Sequence, residues 1–174
     1  MAAVDYRAFP NLILAHEVVA QAMTNANMDT SVIDNNIVLI AEITHLKEHL
    51  GDYFWGILRA NNSLSTAETN LISRYIKPCL AFYVKYEVLT DMQYNTSSAG
   101  ITINEDDWSD SADKGEMGVL KDDTLRKANI LRKDMMQWIT DSDNAGVFPN
   151  YKHTSNDIHS DGDNVTRLGG LLAY

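Results

Sequence analysis

Between Ser65 and Leu89 the chain carries apolar residues on nearly every side of a helix, and this segment limits the available folds more than any other. Ser65 and Glu68 open it as S-x-x-E, a capping-box pattern in which hydroxyl and carboxylate each satisfy an orphan backbone N–H. Leu71, Tyr75, Cys79, Phe82, Tyr86 and Leu89 then recur at helical spacing. Ile72, Ile76, Leu80, Tyr83 and Val84 fill most of the remaining circumference. A helix of this kind has to be buried on several sides. A chain of 174 residues has few ways to do that, so part of the surface is expected to pack on a neighbouring subunit. Pro78 removes one backbone donor inside the pattern and is expected to kink the helix, or split it near Lys77.

Upstream, Leu39, Ile43, Leu46 and Leu50 mark one helical face, with Asp29-Thr30-Ser31 offering an N-cap and Gly51 a stop or hinge. Tyr53–Leu58 continues as a short apolar helix that Asn61-Asn62-Ser63 breaks. Residues 1 to about 30 read as an irregular arm, with a short helix near Glu17–Met23. From Asp91 to about Gly118 the pattern changes: Tyr94–Gly100 is loop-like and Ile101-Thr102-Ile103 suits a short strand. Glu105, Asp106, Asp107, Asp110, Asp113 and Glu116 then face a single Lys114, which reads as an exposed acidic loop. A last helix is expected from about Val119 to Thr140, with Leu120, Ala128, Leu131, Met135, Trp138 and Ile139 on one side. The tail after Tyr151 is polar until Leu168-Gly169-Gly170-Leu171-Leu172, a composition that orders on a partner. The expected fold is mainly α: a helical bundle of a long hairpin plus a C-terminal helix, with a loop or short β insertion and extended termini. Its parts are an arm (1–30), a helical domain (31–151, with the insertion at about 91–118) and a tail (152–174).

Charge and cysteine content narrow the function. With 24 acidic against 14 basic residues the formal net charge is −10, which argues against a free nucleic-acid binder because phosphate contacts need Lys and Arg. The one cysteine, Cys79, lies in an apolar stretch and reads as a small buried hydrophobe. Asp5 and Arg7 lead only to the short apolar patch Leu12–Ala15, so no secretory leader is expected. Apolar runs such as Ile37–Ala41 fall far short of a bilayer span, and a soluble protein made in a reducing cytoplasm is expected.

Catalytic patterns are sparse. His45-Leu46-Lys47-Glu48-His49 matches H-x-x-E-H, in which two histidines at i, i+4 could ligate zinc with Glu48 as base. A third ligand is needed, and Glu116 is the candidate. The competing reading is a solvated polar face, since the histidines lie away from the Leu39–Leu50 apolar face. Asp141-Ser142-Asp143-Asn144-Ala145-Gly146 starts like a calcium loop but lacks the later ligands, Ala145 and Lys152 standing where oxygen donors belong. His153, Asp157, His159, Asp161 and Asp163 fit no standard metal spacing. Gly-x-Ser-x-Gly, phosphate-loop and dinucleotide fingerprints are not found in the sequence. The expectation is a non-enzymatic chain with no cofactor, and a small zinc-dependent hydrolase or a stand-alone helical interaction module are the alternatives. Arg126, Lys127, Arg132 and Lys133 form one cationic set, interleaved with Asp122, Asp123 and Asp134. It complements the acidic Glu105, Asp106 and Asp107, and complementary patches on one chain suit a head-to-tail subunit contact that closes into a ring.

The order of short motifs carries a resemblance over roughly residues 31–151. Ile40-Ala41-Glu42, Leu50-Gly51 and Tyr53 come first, followed by Leu71, Tyr75-Ile76, Pro78 and Tyr83. Gly100-Ile101 comes next, then Leu125, Ala128, Trp138 and Phe148-Pro149-Asn150-Tyr151. Together they resemble the head–tail connector (adaptor, or neck ring) proteins of tailed bacteriophages, including those of crAss-like and other Bacteroidetes phages. The resemblance implies a helical bundle with a loop or hairpin insertion. It implies a homo-oligomeric ring, typically a dodecamer, that binds the portal protein and seats other neck or tail proteins in the virion. Genomic DNA would pass through the ring without specific binding, and no membrane or catalytic residue would be involved. A net acidic ring fits such a channel, because it repels phosphates.

Overall fold

The computed structural model describes residues 8–23, 29–97, 100–103, 114–141 and 146–151. The protein is mainly α. Helix α1 spans Ala15–Ala22. A single 3₁₀ turn at Thr30–Val32 leads into α2 (Asn35–Ala41), which runs on through a π-type turn (Glu42–Lys47) into α3 (Glu48–Leu50) as one rod. The Asp29 carboxylate accepts the N–H of Ser31 and so caps only the 3₁₀ turn. Asp34 caps α2, accepting from Asn36 N at 2.8 Å. Gly51, at φ +77° and ψ 148°, breaks the rod before α4 (Asp52–Ala60), and Asn61 ends α4 in the left-handed region.

The second rod is α5 (Thr66–Leu71), a π-type turn (Ile72–Ile76) and α6 (Lys77–Gln93). Its capping box is formed: Glu68 N–H donates to Ser65 Oγ at 3.1 Å, and Ser65 N–H donates to Glu68 Oε2 at 2.7 Å. Pro78 neither ends this rod nor splits it. The wide turn ends at Ile76 and α-helical bonding resumes at Lys77, so the missing proline donor falls at the change of pitch. A hairpin follows, β1 (Tyr94–Ser97) antiparallel to β2 (Gly100–Ile103), with Thr96 opposite Ile101. Helix α7 then spans Lys114–Thr140. The insertion is therefore shorter than the 91–118 loop expected from composition. α6 runs three residues into it, Tyr94–Ser97 pairs with Gly100–Ile103, and α7 starts at Lys114; residues 104–113 lie outside the described set.

The central rod is covered within the chain. α1, the α2–α3 rod and α7 all pack on α6, so Cys79, Leu80, Ala81, Tyr83, Val84 and Val88 are buried without a second subunit. This corrects the expectation that a neighbour would cover it, and the reason lies in the N-terminal segment. Residues 15–22 do not form a loose arm. Val18 and Val19 of α1 enter the core, Lys77 pairs with Glu17, and Lys85 Nζ donates to Ala22 O at 3.0 Å, satisfying a carbonyl at the end of α1. α7 runs antiparallel to α6: Tyr75 meets Trp138, Tyr83 meets Asn129, and Tyr86 meets Lys121. The aromatic stop after α7 closes the bundle. Phe148 and Tyr151 lie against Phe54 at 6.0 and 5.8 Å between ring centroids, Phe148 against Trp138 at 5.3 Å, and Trp138 stacks on Tyr75 at 4.6 Å.

Candidate functional site

Apart from the capping Glu68, two seams among the described residues carry charged groups into the bundle, and the first rod contributes to both. On the face toward α1 and α4, Glu42 and Arg59 are buried together, with 3.5 Å between Glu42 Oε2 and Arg59 Nη1. Both clasp the segment before α1. Glu42 Oε1 accepts the N–H of Leu12 at 2.7 Å, and Arg59 Nη2 donates to Phe9 O at 2.8 Å and to Asn11 Oδ1 at 3.2 Å. Arg59 also lies 5.1 Å from the Trp55 ring centroid. Burial pushes the Glu42 carboxyl up to about 7, against the opposing pull of the Leu12 N–H, the Arg59 charge and the Trp55 indole. Arg59 Nε and Nη1 have no hydrogen-bond acceptor. The apolar face had been expected to include Ile43. Ile43 is exposed and Glu42 is buried in its place: Glu42 follows the buried Val38 by four residues on α2, and the wider π-type turn carries that phase on to Leu46 and Leu50.

The second polar seam joins the rods to α7. His45 stacks flat on Tyr83, with centroids 4.1 Å apart and planes 4° apart, and its Nε2 lies 2.9 Å from Glu87 Oε1. Arg132 of α7 donates to Nε2 of His49. Tyr83 donates its hydroxyl to Asn129 Oδ1 at 2.8 Å, and burial raises that hydroxyl to about 12. The histidines of H-x-x-E-H therefore do not form a solvated face. They are half-buried against α6 and α7, and Glu48 alone of the three faces solvent. Each histidine has its own partner, and among the described residues no group of three His, Cys, Asp or Glu is placed to hold a metal ion. The Glu116 side chain, residues 142–145 of the calcium-like turn and the His153–Asp163 cluster lie outside the described set. The Cys79 thiol, buried and donating to Ala128 O at 3.5 Å, is pushed up to about 12 by that burial, which makes it a packing residue.

The four basic residues of α7 separate into different roles. Arg126 and Lys127 both pair with Asp123, each at 2.6 Å, within the helix itself. Arg132 turns inward to His49. Lys133 is exposed, and with Arg126 it borders a shallow groove of about 360 Å³ over Leu125 and the 53% exposed Ile130. Glu105, Asp106 and Asp107, the acidic candidates, lie outside the described residues. Sequence reasoning missed the Glu42–Arg59 clasp. Its signal was there, since Glu42 interrupts the run Ile37–Ile43 and Arg59 closes the apolar α4, both at core positions.

A model of a family of unknown function (DUF6712) matches residues 46–160, about two thirds of the chain. The chain belongs to this family. The DUF6712 match takes in the second rod, the hairpin, α7 and the aromatic closure, and leaves out α1 and most of the first rod. No curated protein and no solved structure matches the chain. No helix among the described residues is long and apolar enough to cross a membrane.

Proposed function

We propose that this DUF6712 protein is a structural component of a phage neck, forming a homo-oligomeric ring between portal and tail that lengthens the DNA channel and seats the next neck or tail protein. The observation that carries this reading is architectural. A β-hairpin is inserted between two long antiparallel helices, α6 and α7, and the bundle is closed by Trp138, Phe148 and Tyr151. The head–tail connector resemblance implies that plan, and its motif residues Tyr75, Trp138, Phe148 and Tyr151 meet in one aromatic cluster. The proposed subunit contact uses the outer face of α7, where Ile130 sits between Arg126 and Lys133. The neighbour would contribute the acidic stretch at Glu105, Asp106 and Asp107, an opposite-charge contact of the kind that sets register between copies. The net charge of −10 suits a channel wall that does not grip DNA.

Electron microscopy of virions, with the protein identified in the neck by mass spectrometry, tests the role directly. The expected result is a closed ring of this chain under the portal. Purified virions that lack the chain would overturn the reading.

A further inference from the structure

Between the Phe9–Leu14 segment and α2 lies a groove of about 540 Å³ that the ring reading does not use. Leu14, Ile40 and Ile43 line it and are 50%, 52% and 42% exposed, so apolar side chains are gathered here in water. Arg59 forms part of its wall, its guanidinium held behind that wall by Glu42, Phe9 O and Asn11 Oδ1. A fitting occupant brings branched apolar side chains.

We infer that this groove seats the segment Leu168-Gly169-Gly170-Leu171-Leu172 of the same chain. The three leucines supply the apolar contacts. The two glycines carry no Cβ, so the backbone between the leucines can lie close against the groove wall. Lys152 to Arg167 is dominated by polar residues and suits a solvated connection. Its length is sufficient. The last described residue, Tyr151, rests on Phe54 of α4, and Arg59 lies five residues further along the same helix, roughly 7.5 Å of axial rise. Sixteen intervening residues reach up to about 55 Å when extended. Tethering at this range gives the segment an effective concentration that a separate partner has to exceed.

The test uses the full chain carrying Tyr174→Cys with a nitroxide on the new thiol; the native Cys79 is buried and escapes the label. Methyl NMR then reads distance. The expected result is broadening of the Leu14, Ile40 and Ile43 methyls, lost on reducing the nitroxide, with Val119 and Ile130 unchanged. Adding Leu171→Ser and Leu172→Ser should weaken the broadening several-fold. Three results would overturn the inference. The groove methyls stay sharp; or they broaden only when spin-labelled and methyl-labelled copies are mixed, which assigns the groove to a second copy; or a nitroxide at Ala2→Cys broadens them while the Tyr174 label does not, which assigns it to the N-terminal residues.

Discussion

Glu42 is the residue with the most to lose from ionising. It is fully buried, its nearest cation is 3.5 Å away, and its ordinary value of 4.5 has risen to about 7. A carboxyl whose folded value is raised stabilises the fold fully below its unfolded value. That contribution is lost as pH climbs through the folded value, because the folded state holds a proton that the unfolded chain has released. The window here runs from about pH 4.5 to about pH 7, and the loss across it is on the order of 3 kcal/mol. Glu42→Gln keeps the acceptor for Leu12 N–H and removes the titration. The expected outcome is that urea midpoints of the native protein fall between pH 5 and pH 7.5 relative to this variant. Parallel curves for the two would show that Glu42 ionises near its ordinary value. The residue was visible in the sequence, but its burial was not. An acid inside an apolar run can turn outward on a regular helix, and nothing in the run says that Glu42 rather than Ile43 joins Val38 and Leu46 in the core.

The rods themselves were legible where one local device dictates them. Ser65 and Glu68 announce the second rod, and the structure forms both of their hydrogen bonds. Ser65→Ala should cost about 1 kcal/mol, read as a lowered thermal midpoint with unchanged helicity of the folded state. Gly51 announces the break after the first rod, and its φ of +77° with ψ of 148° is a conformation that only glycine adopts readily. Nothing lies within 4 Å of a Cβ built there, so Gly51→Ala isolates backbone strain from any clash. A loss of about 1–3 kcal/mol in chemical denaturation is expected, and a neutral result would mean the two helices can rejoin at another angle. What the sequence left open were the features set by partners far along the chain. Val18 and Val19 give α1 only a short apolar face, and the contacts from Lys77 and Lys85 that hold its ends come from sixty or more positions away. His45 and His49 looked solvated because the nearest apolar markers were on another face. Their partners are Glu87 on α6 and Arg132 on α7. The metal-like spacing was therefore readable while its environment was not.

At the scale of the whole molecule, assembly and stability should respond to different residues, and this separation is the sharpest consequence of the proposed ring. Arg126 and Lys133 are exposed; Arg126 pairs with Asp123 of its own helix, an exposed ion pair that contributes little to folding. Reversing both, as Arg126→Glu with Lys133→Glu, should leave the denaturation midpoint within about 1 kcal/mol of the native protein. The same double change should prevent ring closure on isolated portals, because it sets like charges against the neighbour's Glu105, Asp106 and Asp107. Arg132→Glu should do the reverse: it strikes the seam with His49 and Asn129, so the monomer itself is expected to weaken. Restoring assembly by pairing the double reversal with Lys at positions 105, 106 and 107 would identify the contact, since a merely unfolded variant cannot be rescued by charges on another segment. Assembly that is unaffected by the Arg126 and Lys133 reversal would remove α7 from the interface.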